Sequence, residues 1–388
     1  MKVQSNFSRF NLFWIGSLAA VLALCTANSF ADPHPHYLIT NNDSSQGNSA
    51  TFYRIVADRF LKEKVVVKTG GVGVDGIGAV ATKRVSILDD RDEQCAFVSD
   101  AASADVAGIS IRTLKSVGTF KADPTDSAPF GIPVGHNERF LYAGFTGSGT
   151  LATYRILRGC KLQFIQDVPA FGLLGGSMLD FSVHKNILVM SFQDGSIGSF
   201  NLSGGVPVAN GDLQFSTGHM QNGSFPAGVD ISADGHFALF GGTNVPPIVE
   251  VSDISSGKLE PTVVYSNLGN GGGSEAIWLS PDESLLYLSN FSSNSVTATF
   301  FDKSTGEVTF GCISPTLRGS AFEAGLATAA QFGTGITLFV AEPEINVGIV
   351  RVRAEDGNCS LTETPQSPVS DQNTVTLESI GVFPPRRF

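Results

Sequence analysis

The chain repeats one strand pattern seven times, and this repeat restricts its fold more than any other feature. The most regular copy, residues 280–310, reads as turn, strand, polar loop, strand, Gly turn, strand. Its strands are short, rich in Val, Thr, Phe and Tyr, and bounded by residues that tolerate tight backbone angles. An apolar anchor of the second strand recurs every 45 to 59 residues, at Leu38, Phe97, Tyr142, Val189, Leu239, Tyr287 and Leu338. A period of about 40 to 50 residues with three or four strands per unit is typical of β-propeller blades.

Each repeat needs one further strand, which we predict to lie beside the propeller axis. Six such segments precede their repeats, at 80–88, 129–134, 178–183, 227–232, 275–280 and 326–332. The first repeat begins at His36 without one, whereas residues 377–383 have the same pattern and precede no repeat. The sequence therefore predicts an all-β, seven-bladed propeller of four-stranded blades, closed by pairing of the C-terminal strand with the N-terminal blade. Closure removes the open sheet edges. A β-sandwich is the structural alternative, but its strands would not repeat seven times at blade length.

The first 31 residues have the order of a secretory signal: Lys2 and Arg9, an apolar run over 12–27, and small residues at Ser29 and Ala31. A lipoprotein signal ending at Cys25 is an alternative, but Leu24 stands where Gly or Ala is required. We therefore predict that residues 32–388 form a single propeller domain that is exported, either to the periplasm or to the medium.

Charge and hydropathy narrow the choice of partners. Without the signal, 23 Lys and Arg stand against 36 Asp and Glu, so binding of a nucleic-acid backbone is disfavoured. No later stretch approaches the roughly 18 apolar residues that a membrane span needs. We expect a monomer that binds a small-molecule or carbohydrate ligand, with no nucleic acid and no membrane insertion.

Four cysteines follow the predicted signal, and an even number in an exported protein permits disulfides. We predict a Cys312–Cys359 bond, because one residue follows the outer strand of blade six and the other precedes the outer strand of blade seven. Cys95 and Cys160, from blades two and three, would then form the second bond. Their spacing fits no zinc site, and no histidine pair accompanies them.

Residues 286–308, LYLSNFSSNSVTATFFDKSTGEV, resemble the YVTN-type propeller repeat in their strand, Asn-rich loop and Val-x-x-x-Asp-x-x-Thr-Gly-like order. Over the whole mature chain, the sequence is similar to lactonase-type seven-bladed propellers. That group includes bacterial 6-phosphogluconolactonase-like proteins and fungal carboxymuconate-cyclizing enzymes. The resemblance implies a lactonase-like hydrolase. The chain departs from the family because its His34-Pro35-His36 segment lies at the mature N-terminus, with no inner strand after it, and the family's Asp-Leu-Gly loop is absent.

In a propeller, the loops that lead into the inner strands gather at one mouth of the central channel, where ligands usually bind. Carboxylates that face one another there raise each other's pKa, which provides a general acid or base near neutral pH. We predict Glu275, Asp230 and His219 as catalytic residues, with Asp230 and Asp180 on neighbouring inner strands raising the pKa of Glu275. Substrate-binding residues are predicted at Arg84, which would hold an anionic group, and at Asp180, Arg318, Glu323 and Glu378. The structural alternative is that each acid satisfies a backbone group or a water molecule.

The histidines fall into two groups. His136, His184 and His236 lie in turns on the opposite face, so we interpret them as solvated, whereas His219 belongs to a loop on the ligand side. Two functions stay open: a lactonase-like hydrolase in which Arg84 or Arg318 steadies the oxyanion, and a non-catalytic propeller that binds a carbohydrate, peptide or protein. No cofactor is predicted, although a divalent cation in the channel is compatible with the acids.

Overall fold

The repeated pattern folds into small antiparallel sheets, because its β-branched and aromatic segments are separated by tight turns. The structure, a computed structural model, describes residues 35–56, 60–75, 82–90, 93–218, 224–318, 325–328, 336–342, 346–355, 357–370, 377 and 379–385. The described residues contain thirty strands in seven sheets. His36–Phe388 forms one compact unit. The predicted signal sequence, residues 1–31, lies outside the described residues.

The first blade joins the two ends of the chain. From the axis outward its strands are β30 (Ser379–Phe383), β1 (His36–Asn41), β2 (Ser49–Val56) and β3 (Phe60–Lys68). β30 runs antiparallel to β1, with Tyr37 opposite Phe383 and Asn41 opposite Ser379. The predicted closure of the ring is therefore confirmed.

The other six blades follow in chain order, each with its inner strand first. Blade two is β4 (Val85–Asp89), β5 (Gln94–Asp100), β6 (Asp105–Ser110) and β7 (Lys115–Lys121); blade three is β8 (Val134–His136), β9 (Phe140–Phe145), β10 (Thr150–Leu157) and β11 (Lys161–Pro169). Blade four is β12 (Met178–His184), β13 (Ile187–Phe192) and β14 (Ser196–Asn201), with β15 (Val208–Ala209) and β16 (Gln214–Phe215) both paired to β14. Blade five is β17 (Pro226–Ile231), β18 (Phe237–Gly242), β19 (Val249–Asp253) and β20 (Val263–Tyr265). Blade six is β21 (Ser274–Leu279), β22 (Leu285–Asn290), β23 (Ser295–Asp302) and β24 (Glu307–Ile313). Blade seven is β25 (Gly325–Thr328), β26 (Ile336–Glu342), β27 (Asn346–Glu355) and β28 (Asn358–Glu363), with β29 (Val369–Ser370) also paired to β27.

The seven-bladed prediction is confirmed, and every predicted anchor lies on the second strand of its blade. Two inner strands begin later than predicted. Blade two uses Val85–Asp89 instead of 80–88, and blade three differs most, with Val134–His136 instead of 129–134. Two prolines in the expected segment lack a backbone N–H, and Gly131 has a φ of +114°. These residues form the loop that leads into the strand.

The core lies between the blades. The second strands β13 and β22 are buried along their whole length, because neighbouring blades cover both faces of a sheet. One cluster joins Phe97 and Val106 of blade two to Leu141 and Tyr154 of blade three. This packing explains why the second strands read as nearly continuous apolar runs rather than as alternating patterns.

Both predicted disulfides are confirmed, and each joins two neighbouring blades. Cys95 on β5 bonds Cys160 in the turn before β11, and Cys312 on β24 bonds Cys359 on β28. The Cα atoms are 5.5 Å apart in both pairs. Among the described residues, no helix has the length and apolar character needed to cross a bilayer.

Candidate functional site

One face of the ring collects the loops that lead into the inner strands. The strands of a blade alternate in direction, so the turns between second and third strands lie on this same face, which we call the mouth face. Ligands of propellers usually bind on such a face, where loops from several blades surround the channel. The loop that leads into β4 ends with Thr82, Lys83 and Arg84.

A polar cluster of Thr82, Lys83 and Asp180 lies inside the channel, and we call it the channel cluster. Lys83 Nζ is 3.9 Å from Asp180 Oδ2 and donates a hydrogen bond to the carbonyl of Val229. Thr82 Oγ1 donates to the same carboxylate oxygen over 3.4 Å. Lys83 precedes the inner strand of blade two, whereas Asp180 and Val229 lie on blades four and five. The lysine side chain therefore crosses the channel.

A bulge in β12 sets the position of Asp180. The register between β12 and β13 shifts by one residue between Met178 and Asp180. The inner strands of the next two blades shift at the matching place, between Pro226 and Val229 and between Ser274 and Ile277. Bulges of this kind redirect a side chain and are frequent beside active sites. The inner strands of blades four, five and six therefore each contain a bulge at the same level of the channel.

Burial changes the pKa of Asp180 in the channel cluster. The Asp180 side chain is 1% exposed and that of Lys83 is 15% exposed. Burial raises the pKa of Asp180 to about 6, although the Lys83 charge and hydrogen bonds from Phe181, Val229 and Thr82 act in the opposite direction. One carboxylate oxygen, Oδ1, is buried without a hydrogen bond of normal geometry. The cluster thus combines a carboxylate that titrates close to neutral pH with an adjacent cation.

Arg84, a predicted anion anchor, binds protein groups. Its Nη1 lies 2.8 Å from Asp43 Oδ2, its Nη2 donates to the Phe130 carbonyl over 2.9 Å, and its backbone N–H donates to Ser379 Oγ. A Cβ atom on Gly131 would lie 2.6 Å from Arg84 Nε, so the loop packs directly on the guanidinium. Arg84 is buried and connects the first three blades. Its guanidinium is therefore held by protein groups, and substrate binding by Arg84 stays a prediction.

Asp230 and Glu275 lie on adjacent inner strands. Asp230 accepts hydrogen bonds from the backbone N–H groups of Leu279 and Ile231, over 2.8 and 2.9 Å, and thereby links blades five and six. Glu275 is 6% exposed and lies within the bulge of β21. Gly228 allows the two strands to approach, because a Cβ atom there would be 2.9 Å from the Glu275 carbonyl oxygen. Asp180 pairs with Lys83, and its expected effect on the pKa of Glu275 stays a prediction.

The remaining predicted residues lie away from the channel cluster or outside the described residues. Arg318 Nε is 3.1 Å from Glu363 Oε2, and its Nη2 donates to the Thr364 carbonyl, at the end of the outer strand β28. His219, Glu323 and Glu378 lie outside the described residues. Their roles stay predictions.

Two of the three turn histidines are not solvated as expected. His184 is 5% exposed. His136 is half-buried, hydrogen-bonded through Nδ1 to Ser86 Oγ at 2.7 Å, and its pKa is lowered to about 4 by burial. Neighbouring blades cover both residues, which the turn pattern does not reveal. His236 is 59% exposed, as predicted.

A pair of buried acids, Asp100 and Asp105, closes the β5–β6 turn on the mouth face. The two residues are opposite each other in the ladder. Asn48 Nδ2 and Thr69 Oγ1 donate to Asp100 Oδ1 over 2.7 and 2.8 Å. Burial first, and then the Asp105 charge, raise the pKa of Asp100 to about 8. Burial also raises the pKa of Asp105, so the pair holds a shared proton near neutral pH.

A metal site is not apparent in the part of the chain that the structure describes. There, the single group of three potential metal ligands is Glu93 with Cys95 and Cys160, and both sulfurs are in a disulfide. The divalent cation considered from the sequence stays a prediction.

Lys83 and Thr82 lie in the predicted inner strand 80–88, but no functional role was predicted for either residue. The available signal was the Thr82-Lys83-Arg84 string at the start of a strand that should face the channel. A lysine there has few partners other than a carboxylate across the ring.

No family model and no curated protein matches the sequence. Solved structures do match it. A candidate 6-phosphogluconolactonase from Bacteroides fragilis is 17% identical, with a TM-score of 0.65 over 91% of this chain and 99% of that chain. The periplasmic gluconolactonase of Pseudomonas aeruginosa is 14% identical, with a TM-score of 0.65 over 90% and 99%. The chain has the fold of the lactonase-type seven-bladed propellers. A protein from Lactobacillus plantarum shares this fold at 15% identity, with a TM-score of 0.63 over 90% and 99%. At these identities the likeness describes the lactonase-type fold alone, because blade repeats encode packing rather than chemistry.

Proposed function

We propose that this lactonase-type propeller is an exported hydrolase that opens a small lactone at the mouth of its channel. The observation that carries the proposal is the channel cluster, in which a buried carboxylate and a partly exposed ammonium group lie 3.9 Å apart. The likeness in fold to the Pseudomonas aeruginosa periplasmic gluconolactonase supports the same reaction class. Export is supported by the predicted signal and by two disulfides, which persist in oxidising compartments.

The cluster supplies the two groups that lactone hydrolysis needs. Ionised Asp180 removes a proton from a water molecule, and the water oxygen attacks the lactone carbonyl carbon. The Lys83 ammonium stabilises the negative charge that develops on the carbonyl oxygen. When the tetrahedral intermediate collapses, the ring C–O bond breaks, and protonated Asp180 gives its proton to the alkoxide. The product is the hydroxy acid, and Asp180 is ionised again.

Arg84 would act through its neighbour rather than on the substrate. Its bonds to Asp43 and Phe130 fix the segment that carries Lys83. The catalytic roles predicted for Glu275, Asp230 and His219 stay predictions. Asp230 accepts a hydrogen bond from the backbone N–H of Leu279 on the next blade.

The test compares Asp180→Asn and Lys83→Met with the wild type on neutral γ- and δ-lactones. We expect kcat/KM of the wild type to rise with pH to a plateau above about 6, since the pKa of Asp180 is about 6 and its ionised form is the base. Asp180→Asn should lower kcat by about 10²-fold or more, and Lys83→Met by about 10²–10³-fold.

Asp302→Asn provides the matched control, because Asp302 ends β23 on the opposite face. It should hydrolyse lactones at the wild-type rate. Thermal unfolding of each variant separates lost chemistry from lost folding. Full activity of folded Asp180→Asn would refute the assignment.

The second candidate is the non-catalytic binding propeller. It is favoured by one observation: the Lys83 side chain spans the channel and bonds the Val229 carbonyl, which would also suit a polar plug beneath a binding surface. A wild-type protein that binds lactams but hydrolyses no lactone would support this candidate.

A further inference from the structure

We infer that the substrate is an uncharged lactone with an apolar substituent, and that phosphorylated and carboxylated lactones bind poorly. This inference rests on the proposed function and narrows it to a substrate class. It follows from the charges and the exposed apolar side chains of the mouth face.

The loops of the mouth face carry few cations. Among the described residues of these loops, the Lys and Arg residues are Lys83, Arg84 and Arg318. The counted residues are 42–48, 69–75, 82–84, 101–104, 122–133, 146–149, 170–177, 193–195, 216–218, 224–225, 243–248, 266–273, 291–294, 314–318, 364–368 and 377. Lys68 and Lys121 end the outer strands β3 and β7 and so lie at the periphery.

All three cations bind protein groups. Arg84 holds Asp43 at 2.8 Å, Lys83 lies 3.9 Å from Asp180, and Arg318 lies 3.1 Å from Glu363. A phosphate or carboxylate on a ligand would have to compete with a protein acid for each of them. Lys83, which lies in the channel, is also the group that the proposed reaction needs at the carbonyl oxygen.

Acids outnumber cations on the same loops. Their described residues include five acids, namely Asp43, Asp75, Asp123, Asp126 and Asp194. A cleft lined by one sign of charge concentrates that sign of potential and repels ligands of the same sign. An anionic lactone would be repelled by the acids of the mouth face, and the cations there are already paired with protein acids.

The mouth face also exposes large apolar side chains, and three of them share one loop. Leu174 is 76% exposed in the loop that leads into β12, and Phe171 and Leu173 of the same loop are also exposed. A contiguous exposed apolar surface often marks a ligand-binding site. Phe130 is 50% exposed, and its carbonyl binds Arg84, next to Lys83 in the chain. Val245, in the turn between β18 and β19, is exposed as well.

Hydrogen bonds hold the Leu174 loop in this orientation. The N–H groups of Leu174 and Gly176 donate to Asp194 Oδ2 over 2.7 and 3.2 Å, and that of Leu173 donates to Ser196 Oγ. The leucines are therefore presented by an ordered loop. An alkyl or aryl group on the lactone would cover them while the ring lies at the channel cluster.

The test measures kcat/KM for δ-lactones with alkyl chains of increasing length, for gluconolactone and for its 6-phosphate. We expect a rise of about two- to fourfold per methylene over the first several carbons. The 6-phosphate should be at least about tenfold poorer than gluconolactone at low salt and recover partly at high salt, because the repulsion is screened.

Leu174→Ser and Phe130→Ser should flatten the dependence on chain length. Val208→Ser is the matched control, because Val208 is 65% exposed but lies on the outer strand β15. This variant should keep the wild-type dependence. Preference for the 6-phosphate, or no dependence on chain length in the wild type, would overturn the inference.

Binding of non-hydrolysable lactams, measured by titration calorimetry, separates the two proposals. Affinity that rises with chain length, without hydrolysis of any lactone, would support the ligand class and overturn the proposed reaction. Hydrolysis that favours the phosphorylated lactone would support the proposed reaction and overturn the inferred ligand class. Absence of both binding and hydrolysis would overturn both.

Discussion

The closing strand β30 is expected to decide whether the protein folds as a monomer. It pairs with β1 at five positions, from Tyr37–Phe383 to Asn41–Ser379. Four apolar side chains of this segment are at most 5% exposed, at Leu377, Ile380, Val382 and Phe383. Burying one side chain of this size stabilises a protein by roughly 1.5–3 kcal/mol, so the segment contributes on the order of 6–12 kcal/mol. A typical free energy of unfolding is about 5–15 kcal/mol.

Truncation after Asn373 removes this contribution and exposes an edge of β1 that can pair with other chains. We expect the truncated protein to aggregate, as measured by size-exclusion chromatography with light scattering and by thermal unfolding. Truncation after Pro385 keeps β30 and serves as the control. A milder change, Ile380→Ala, should lower the free energy of unfolding by about 2–5 kcal/mol.

The result that would refute this reasoning is a protein truncated after Asn373 that stays monomeric with an unchanged melting temperature. The ring would then be closed by contacts other than those of β30. The burial of the four apolar side chains at 377–383 would not contribute to the free energy of unfolding as expected.

Three further predictions concern the disulfides and the buried titrating groups. Replacing Cys95 and Cys160 by Ser should lower the free energy of unfolding by up to about 4 kcal/mol, because the bond closes a loop over 65 residues; an unchanged denaturant midpoint would contradict this. Asp100, with its pKa raised to about 8, stabilises the fold fully below pH about 4 and loses this effect as pH rises to about 8, so Asp100→Asn should flatten the fall in melting temperature between pH 4 and 8. His136, with its pKa lowered to about 4, stabilises fully above pH 6.5 and loses this effect as pH falls toward 4, so the wild type should lose more stability than His136→Gln over that range. Parallel melting curves against pH for a variant and the wild type would contradict either assignment.

The candidate site was only partly predictable, and its residues show why. Asp180 was chosen from its place on an inner strand, but its partner was expected to be Glu275. The contact that defines the site joins Lys83 to residues on blades four and five, and the Val229 carbonyl is 146 residues further along the chain. Arg84 follows Lys83 directly, yet it binds Asp43 and Phe130. Strand periodicity gives no information on which of two adjacent cations faces the channel.

The propeller, its blade number, the closure by residues 377–383 and the pairing of the four cysteines could all be predicted from the amino-acid sequence. These features depend on the local strand pattern and on the order of blades around the ring, and both follow the order of residues along the chain. Which polar side chains meet in the channel became known from the three-dimensional structure alone. A one-residue bulge at Asp180 changes the direction of a side chain, and burial between blades sets its pKa. Both effects arise from packing among blades that are distant in sequence. The contacts and the pKa of Asp180 therefore could not be predicted from the sequence pattern.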